Sequence, residues 1–272
     1  MTVQVELTQY SAQIREIVIE KTIKITQKYV KSCVSPELLD KIVLGDAFEI
    51  LDSIEPKSVD LIIIDPPYSR FHHSEMSASL GDFKILEVYF KELAQKCSRF
   101  LKPTGATFFF CDYRTYPCLF YGIYSWLKPA NLIVWKKDFL GPGIRFRPFH
   151  ELIVYCVMEN TPSPKDRHIT DIWEAARVNN RLHPFQKPEV LYEIMINNCT
   201  NEGDYILDPY CGSGTALYVA KKLNRHFTGV DISPEFVAIA NERLSKVPKR
   251  LDTFQMEEVL CCSPESSEEV QQ

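Results

Sequence analysis

The chain has 272 residues, with 31 basic against 36 acidic side chains and a formal net charge of −5. Hydrophobic residues make up 45% and charged residues 25%, a globular balance that excludes wholesale disorder, collagen and coiled coil. No apolar run approaches the roughly 20 residues of a membrane span, and residues 1–6 have neither the basic nor the apolar region of a signal peptide, so the protein is expected in the cytoplasm, or in a nucleoid or nucleus.

Residues 8–32 carry a helical pattern. Leu7, Tyr10, Ile14, Ile17, Val18, Ile25 and Tyr29 recur mainly every three or four positions, and Glu20 stands four residues before Lys24. Ser35-Pro36 stops it. From residue 41 short apolar strands alternate with helix-length segments. Strands are predicted at Lys41–Leu44, Val59–Ile64, 106–111, 131–135, 152–157, 205–207 and 227–230. Helices are predicted at 85–100, 114–127, 188–198, 215–223 and 234–246. Nearly continuous apolar strands alternating with helices describe an α/β fold, a mostly parallel sheet covered on both faces. Such sheets bind ligands beyond the carboxyl ends of their strands. Residues 251–272 hold six acids and no base, a solvated tail. Residues 1–250 then carry 31 bases against 30 acids, a near-neutral body in which local basic patches can meet phosphate backbones. The nine scattered cysteines include no C-x-x-C pair and read as reduced thiols, and the six histidines show no metal-ligand spacing, so no metal is expected.

Three strand ends carry the chemistry. The strand Val59–Ile64 runs directly into Asp65-Pro66-Pro67-Tyr68. Two prolines fix φ and remove two donors, leaving a rigid turn rich in acceptors. A carboxylate, a carbonyl and an aromatic face suit a planar group bearing an NH2, which donates two hydrogen bonds while its ring stacks. The strand 205–207 enters Asp208-Pro209-Tyr210-Cys211-Gly212-Ser213-Gly214-Thr215 and then a helix. Gly212 and Gly214 let the backbone approach a ligand at a helix N-terminus. The preceding acid repels a pyrophosphate and welcomes an ammonium or sulfonium. The next strand ends in Asp231, placed to accept from ribose hydroxyls. Glycines with these two acids describe a nucleoside-amino-acid cofactor, which S-adenosylmethionine fits better than NAD. Asp46, after the strand Lys41–Leu44, is a candidate acceptor for the cofactor's adenine amino group, or a plain turn aspartate. Lys187, in His183-Pro184-Phe185-Gln186-Lys187-Pro188, is a candidate partner for the cofactor carboxylate, or a solvated lysine at a helix start.

These segments together resemble the amino-methyltransferases of DNA, the N6-adenine and N4-cytosine methylases. The Asp65–Tyr68 turn is similar to their catalytic motif. Residues 208–215 are similar to their cofactor loop, usually D-P-F-x-G-S-G-T, with Tyr210 here in place of the phenylalanine. Catalytic motif first and cofactor motif second is the circularly permuted order of the β group. The likeness runs from Gly45-Asp46 through His150-Glu151-Leu152-Ile153 and residues 185–188 to 240–244. It implies a class I S-adenosylmethionine-dependent methyltransferase fold, Rossmann-like, with seven strands. It also implies a site-specific adenine methylase of the restriction-modification kind, since Asp rather than Ser opens the turn. Asp65, Pro66, Pro67 and Tyr68 are then catalytic, and Asp46, Lys187, Asp208, Tyr210, Gly212, Gly214 and Asp231 bind the cofactor. The target base leaves the duplex or is already single-stranded. Asp65 and the Pro66 carbonyl accept its N–H bonds, Tyr68 stacks on it, and the polar segment 69–83, with His72 and His73, forms a lid.

The domain reading is an N-terminal helical extension at 1–35, a catalytic domain at 36–248 and an acidic, disordered tail at 249–272. Larger family members carry a recognition domain, for which only residues 136–149 and 158–186 are available here. The first stretch has four bases, Lys136, Lys137, Arg145 and Arg147, against one acid, with aromatics between them, and reads as a phosphate or single-strand stacking loop. Such short elements imply relaxed specificity, a homodimer or a partner subunit, with the helix at 8–32 as the contact. Alternatives left open are cytosine-N4, RNA or protein-amide methylation, or a non-catalytic nucleic-acid-binding subunit.

Overall fold

The computed structural model describes residues 37–66, 83–141, 144–178 and 186–247. The expected helix at 8–32, Pro67 and Tyr68 of the turn, segment 69–82 with His72 and His73, residues 183–185 and the acidic tail lie outside them. In chain order the elements are β1 (Lys41–Leu44), α1 (Ala47–Leu51), β2 (Val59–Ile64), α2 (Phe83–Phe100), β3 (Leu101–Cys111), α3 (Tyr116–Ile123), β4 (Lys128–Lys136), β5 (His150–Val157), β6 (Ile172–Glu174), α4 (Glu189–Cys199), β7 (Tyr205–Asp208), α5 (Thr215–Lys222), β8 (His226–Asp231) and α6 (Pro234–Ser245).

The strands form one sheet in the order β1-β8-β7-β2-β3-β5-β4-β6. Only β5 runs against its neighbours; all other pairs are parallel. The sheet has eight strands where seven are expected. The extra one, β6, is three residues long, too short to show a period, and sits on the outer side of β4. Trp173 anchors it, donating its indole N–H to the Thr170 carbonyl at 2.8 Å, while Trp135 reaches over from β4 to the Ala175 carbonyl at 3.0 Å. The helix predicted at 114–127 is shorter than expected. Asp112 Oδ1 accepts from the N–H groups of Arg114 and Thr115, which holds those residues in a turn until α3 starts at Tyr116.

Leu61, Ile62, Ile63 and Ile64 are all fully buried, as are Phe109, Phe110 and Cys111. Successive residues of a strand face opposite ways, so a run buried throughout requires cover on both sides. The connections supply it. From β7 the chain moves to β8, and from β2 it moves the other way to β3. Right-handed crossovers in opposite directions put α5 and α2 on opposite faces. The crossovers part between β7 and β2, the position where doubly wound sheets open a crevice at the carboxyl ends of their strands.

Candidate active site

The two strand ends singled out in the sequence are neighbours at that crevice. In the β2–β7 register Ile62 faces Leu207, so Asp65 lies two residues beyond the level of Asp208, past the carboxyl end of the adjacent strand. Adjacent strands lie about 4.8 Å apart. The two carboxylates are near enough to interact: burial pushes the Asp208 carboxyl well above the usual carboxylate range, and the charges of Asp65 and Asp231 push the same way, against the Tyr210 N–H.

On the β2 side, Pro66 is buried and Asp65 is half-buried. Lys187, only 6% exposed, donates from Nζ to Asp65 Oδ2 at 2.7 Å. The same ammonium lies 3.5 Å from Glu151 Oε2, an ion-pair distance whose geometry makes no hydrogen bond, and 5.1 Å above the Phe110 ring. Glu151 Oε1 pairs in turn with Lys137. Burial alone would lower the Lys187 pKa, but Asp65 and Glu151 outweigh it and hold the ammonium above the ordinary lysine value. Burial would likewise raise Glu151, and Lys187 with Lys137 overcome it, leaving the carboxylate below its usual range. Lys187 and Glu151 are therefore held charged. Lys187, expected opposite a cofactor carboxylate, is engaged by two protein carboxylates, Asp65 and Glu151. Glu151 lies in a segment that carries the family likeness but is given no role by the sequence, where it is an acid near the start of an otherwise apolar strand.

On the β7 side, the Asp208 side chain is 4% exposed and accepts from the Tyr210 N–H at 3.1 Å. Gly212 and Gly214 adopt φ of 50° and 72°, the left-handed region that side chains avoid. A Cβ on Gly214 would also come within 2.9 Å of the Ala240 Cβ, so α6 packs directly against this turn. Asp231, at the end of β8, accepts from the Gly212 N–H through Oδ2 at 2.8 Å and from the Ser233 N–H through Oδ1 at 2.9 Å. It braces the glycine turn while each oxygen keeps further acceptor capacity. Asp46 caps α1, accepting from the Phe48 N–H at 2.7 Å, and the Gly45 N–H donates to the Asp231 carbonyl, so Asp46 lies beside Asp231 across β1 and β8. The Tyr89 hydroxyl donates to that of Tyr210 at 2.6 Å, and the Tyr89 ring packs on Phe48 at 5.5 Å. Tyr89, on α2, is a second residue the sequence reading did not find; nothing in its local pattern distinguishes it. An acid buried without a paired cation among the described residues, two left-handed glycines and acids on successive strands fit a cofactor that brings its own ammonium and a ribose.

The basic loop divides. Arg145 is exposed, and Lys136, also at the surface, pairs with Glu174 at 2.8 Å. Arg147 donates to the Gly141 and Leu140 carbonyls, and the Gly141 N–H donates to the Pro148 carbonyl, which clasps the loop at its base. Ile144 and Phe146 project from it, 101% and 106% exposed. Lys137 departs from the expected phosphate-facing position. It points inward to Glu151 and lies over the Trp135 and Phe139 rings at 4.9 and 5.5 Å.

The N6/N4 DNA methylase family model matches residues 59–242. The Type II methyltransferase M.HpaI of Haemophilus parainfluenzae is 32% identical over 233 residues, spanning 75% of this chain and 74% of the relative. The Type II methyltransferase M2.DpnII of Streptococcus pneumoniae is 30% identical over 244 residues, spanning 75% and 88%. Among solved structures, the M1.HpyAVI–SAM complex matches with a TM-score of 0.58 at 26% identity, over 75% of this chain and 98% of that one. The PvuII cytosine-N4-specific DNA methyltransferase shares the fold at 18% identity, with a TM-score of 0.64 over 80% and 90%. Motif order, sheet and matches agree, and the chain belongs to the N6/N4 DNA methylase family.

Proposed function

We propose that the chain is an S-adenosylmethionine-dependent DNA methyltransferase acting on the N6 amino group of adenine. The observation that carries this reading is the meeting of Asp65 and Asp208 at the carboxyl ends of adjacent strands, at the point where the crossovers part. Asp208 and Asp231 would hold the cofactor's ammonium and ribose, with Gly212 and Gly214 giving its backbone approach and Asp46, Tyr210 and Tyr89 lining the adenine end. Bound there, the cofactor supplies an electrophilic methyl group on a sulfonium centre.

The residues of the turn act on the base. Asp65 and the Pro66 carbonyl accept the two N–H bonds of the target amino group. That draws the nitrogen lone pair out of conjugation with the ring and aims it into the crevice. Asp65 or water then receives the proton the amino group sheds. Positioning supplies most of the acceleration in such a site. By the sequence motif, Pro67 and Tyr68 belong to the same catalytic group, and Tyr68 would stack on a base that is flipped or single-stranded, worth roughly 1–3 kcal/mol. The exposed Lys136 and Arg145, with Phe146 between Arg145 and Arg147, suit phosphate and base contact.

Incubating DNA with the protein and isotopically labelled cofactor, then analysing nucleosides by mass spectrometry, tests this directly. Labelled N6-methyladenine is expected. N4-methylcytosine would replace the base assignment but keep the amino-group chemistry, and label in neither would overturn both. The Asp65→Ala variant is expected to lose methylation while calorimetric cofactor binding persists.

A further inference from the structure

The strand ends account for Asp65 and Asp208, but not for the three charges that line up behind Asp65. Lys137 follows β4, Glu151 opens β5, Lys187 precedes α4 and Asp65 follows β2. These elements come from distant parts of the chain, and they place base, acid, base and acid in a continuous row of ion pairs. Replacing a buried ion pair by well-packed apolar residues is often neutral or stabilising, so stability alone gives little reason for such a row. We propose that Lys187 and Glu151 are positioning residues for the catalytic carboxylate of Asp65, and that Lys137 joins them to the base of the loop at 136–149.

The geometry gives each member a task. Lys187 holds Asp65 Oδ2 at 2.7 Å and so fixes the rotation of the carboxylate. The ammonium is trapped from two further sides, by Glu151 and by the Phe110 ring. Glu151 is trapped in turn: Oε1 is held by Lys137, and buried Oε2 lies 3.5 Å from the Lys187 ammonium. Among the described residues, Cys111 at the end of β3, Tyr192 on α4 and Asp208 on β7 feel Asp65, and Tyr192 is faced by Arg243 as well. Lys187, 2.7 Å from Asp65 Oδ2, is the cation placed to orient it. Lys137 is backbone-bonded to Phe149, across the mouth of the loop. A displacement of the loop would therefore reach Glu151 first and Asp65 last.

This inference rests on the catalytic reading of Asp65, and the experiment separates the two. DNA methylation kinetics and calorimetric cofactor affinity are measured for the wild type, Asp65→Ala, Lys187→Met, Lys187→Arg, Glu151→Gln and Lys137→Met. Lys187→Met and Glu151→Gln are expected to lower kcat by about 100-fold, the effect of a small misplacement of a reacting group, with cofactor affinity and KM unchanged. Lys187→Arg, which keeps the charge and a donor, is expected to recover part of the loss. Lys137→Met is expected to lower kcat rather than raise KM for DNA; a rise in that KM alone would remove Lys137 from the row. Wild-type kcat in both Lys187→Met and Glu151→Gln, or loss of cofactor affinity in Lys187→Met with kcat intact, would overturn the proposal. If Lys187→Met does not fold, the isosteric Glu151→Gln decides it. An active Asp65→Ala, or a wild type that leaves DNA unmethylated, would instead remove the reading on which the proposal stands.

Discussion

Asp208 is buried with a single N–H contact from Tyr210 and two other carboxylates as neighbours. Its pKa is raised by folding, so the folded state binds the proton more tightly than the unfolded chain does. Stability is then highest below the unfolded value, about 3.9, falls as pH rises toward the raised value, and stays reduced at neutrality. Asp208→Asn keeps the acceptor for the Tyr210 N–H and removes the charge. It is expected to raise the melting temperature at pH 7, with the gain fading near pH 4, and to weaken cofactor affinity by roughly 10- to 100-fold, the worth of a charged hydrogen bond. Thermal scans at both pH values and calorimetry check the two halves separately; a variant with unchanged affinity would remove Asp208 from the cofactor site. The chemistry of Asp208, and of Gly212 and Gly214 beside it, was legible because motif and strand end coincide in one short segment. Glu151 and Tyr89 were not, because each gains its meaning from partners on other elements: Lys137 and Lys187 for one, Tyr210 for the other.

The helices α2 and α3 meet at Gly122. A Cβ there would come within 2.7 Å of the Phe90 Cβ and 2.9 Å of the Glu87 carbonyl, and backbone cannot swing aside as a side-chain tip can. Gly122→Ala is expected to force the helices apart and destabilise the fold by about 1–3 kcal/mol, the usual effect of overpacking; denaturant titration measures it. A second joint ties the segment before β1 to β8, where His226 Nδ1 lies 2.9 Å from Asp40 Oδ2 and the Phe227 N–H donates to Asp40 Oδ1 at 3.1 Å. The hydrogen bond to Asp40 raises the His226 pKa above 6.5. The pair's stabilisation is therefore fully present below about pH 6.5 and is lost as pH rises through the raised value. His226→Gln should lower the melting temperature more at pH 5.5 than at pH 9, and equal losses would count against the pairing. Long apolar strands and helices were readable in order, though β3 starts five residues before its expected position and α3 stops four residues short. The five residues of α1 and three of β6 were not, since neither spans enough positions for a period to appear.

The body of the protein is nearly neutral, so contact with DNA depends on where its few uncompensated charges face. Lys137 is used internally and Arg147 clasps its own loop, which leaves Arg145 beside the projecting Phe146. Arg145→Ala is expected to weaken DNA binding about equally across sequences and to reduce the salt dependence by about one counterion. Phe146→Ala is expected to weaken binding of single-stranded more than duplex DNA, through lost stacking. Fluorescence anisotropy over a salt series reads both; an unchanged slope for Arg145→Ala would mean the loop does not meet phosphate. The arrangement that places donor and acceptor chemistry together has one more consequence. β2 and β7 are adjacent in space, yet more than half of the described chain lies between them in sequence. Neither polypeptide half owns a working pocket. A cut in the intervening surface stretch would yield two pieces that are inert alone and regain turnover on mixing, which makes the fold a natural candidate for a two-fragment reporter switched on by proximity.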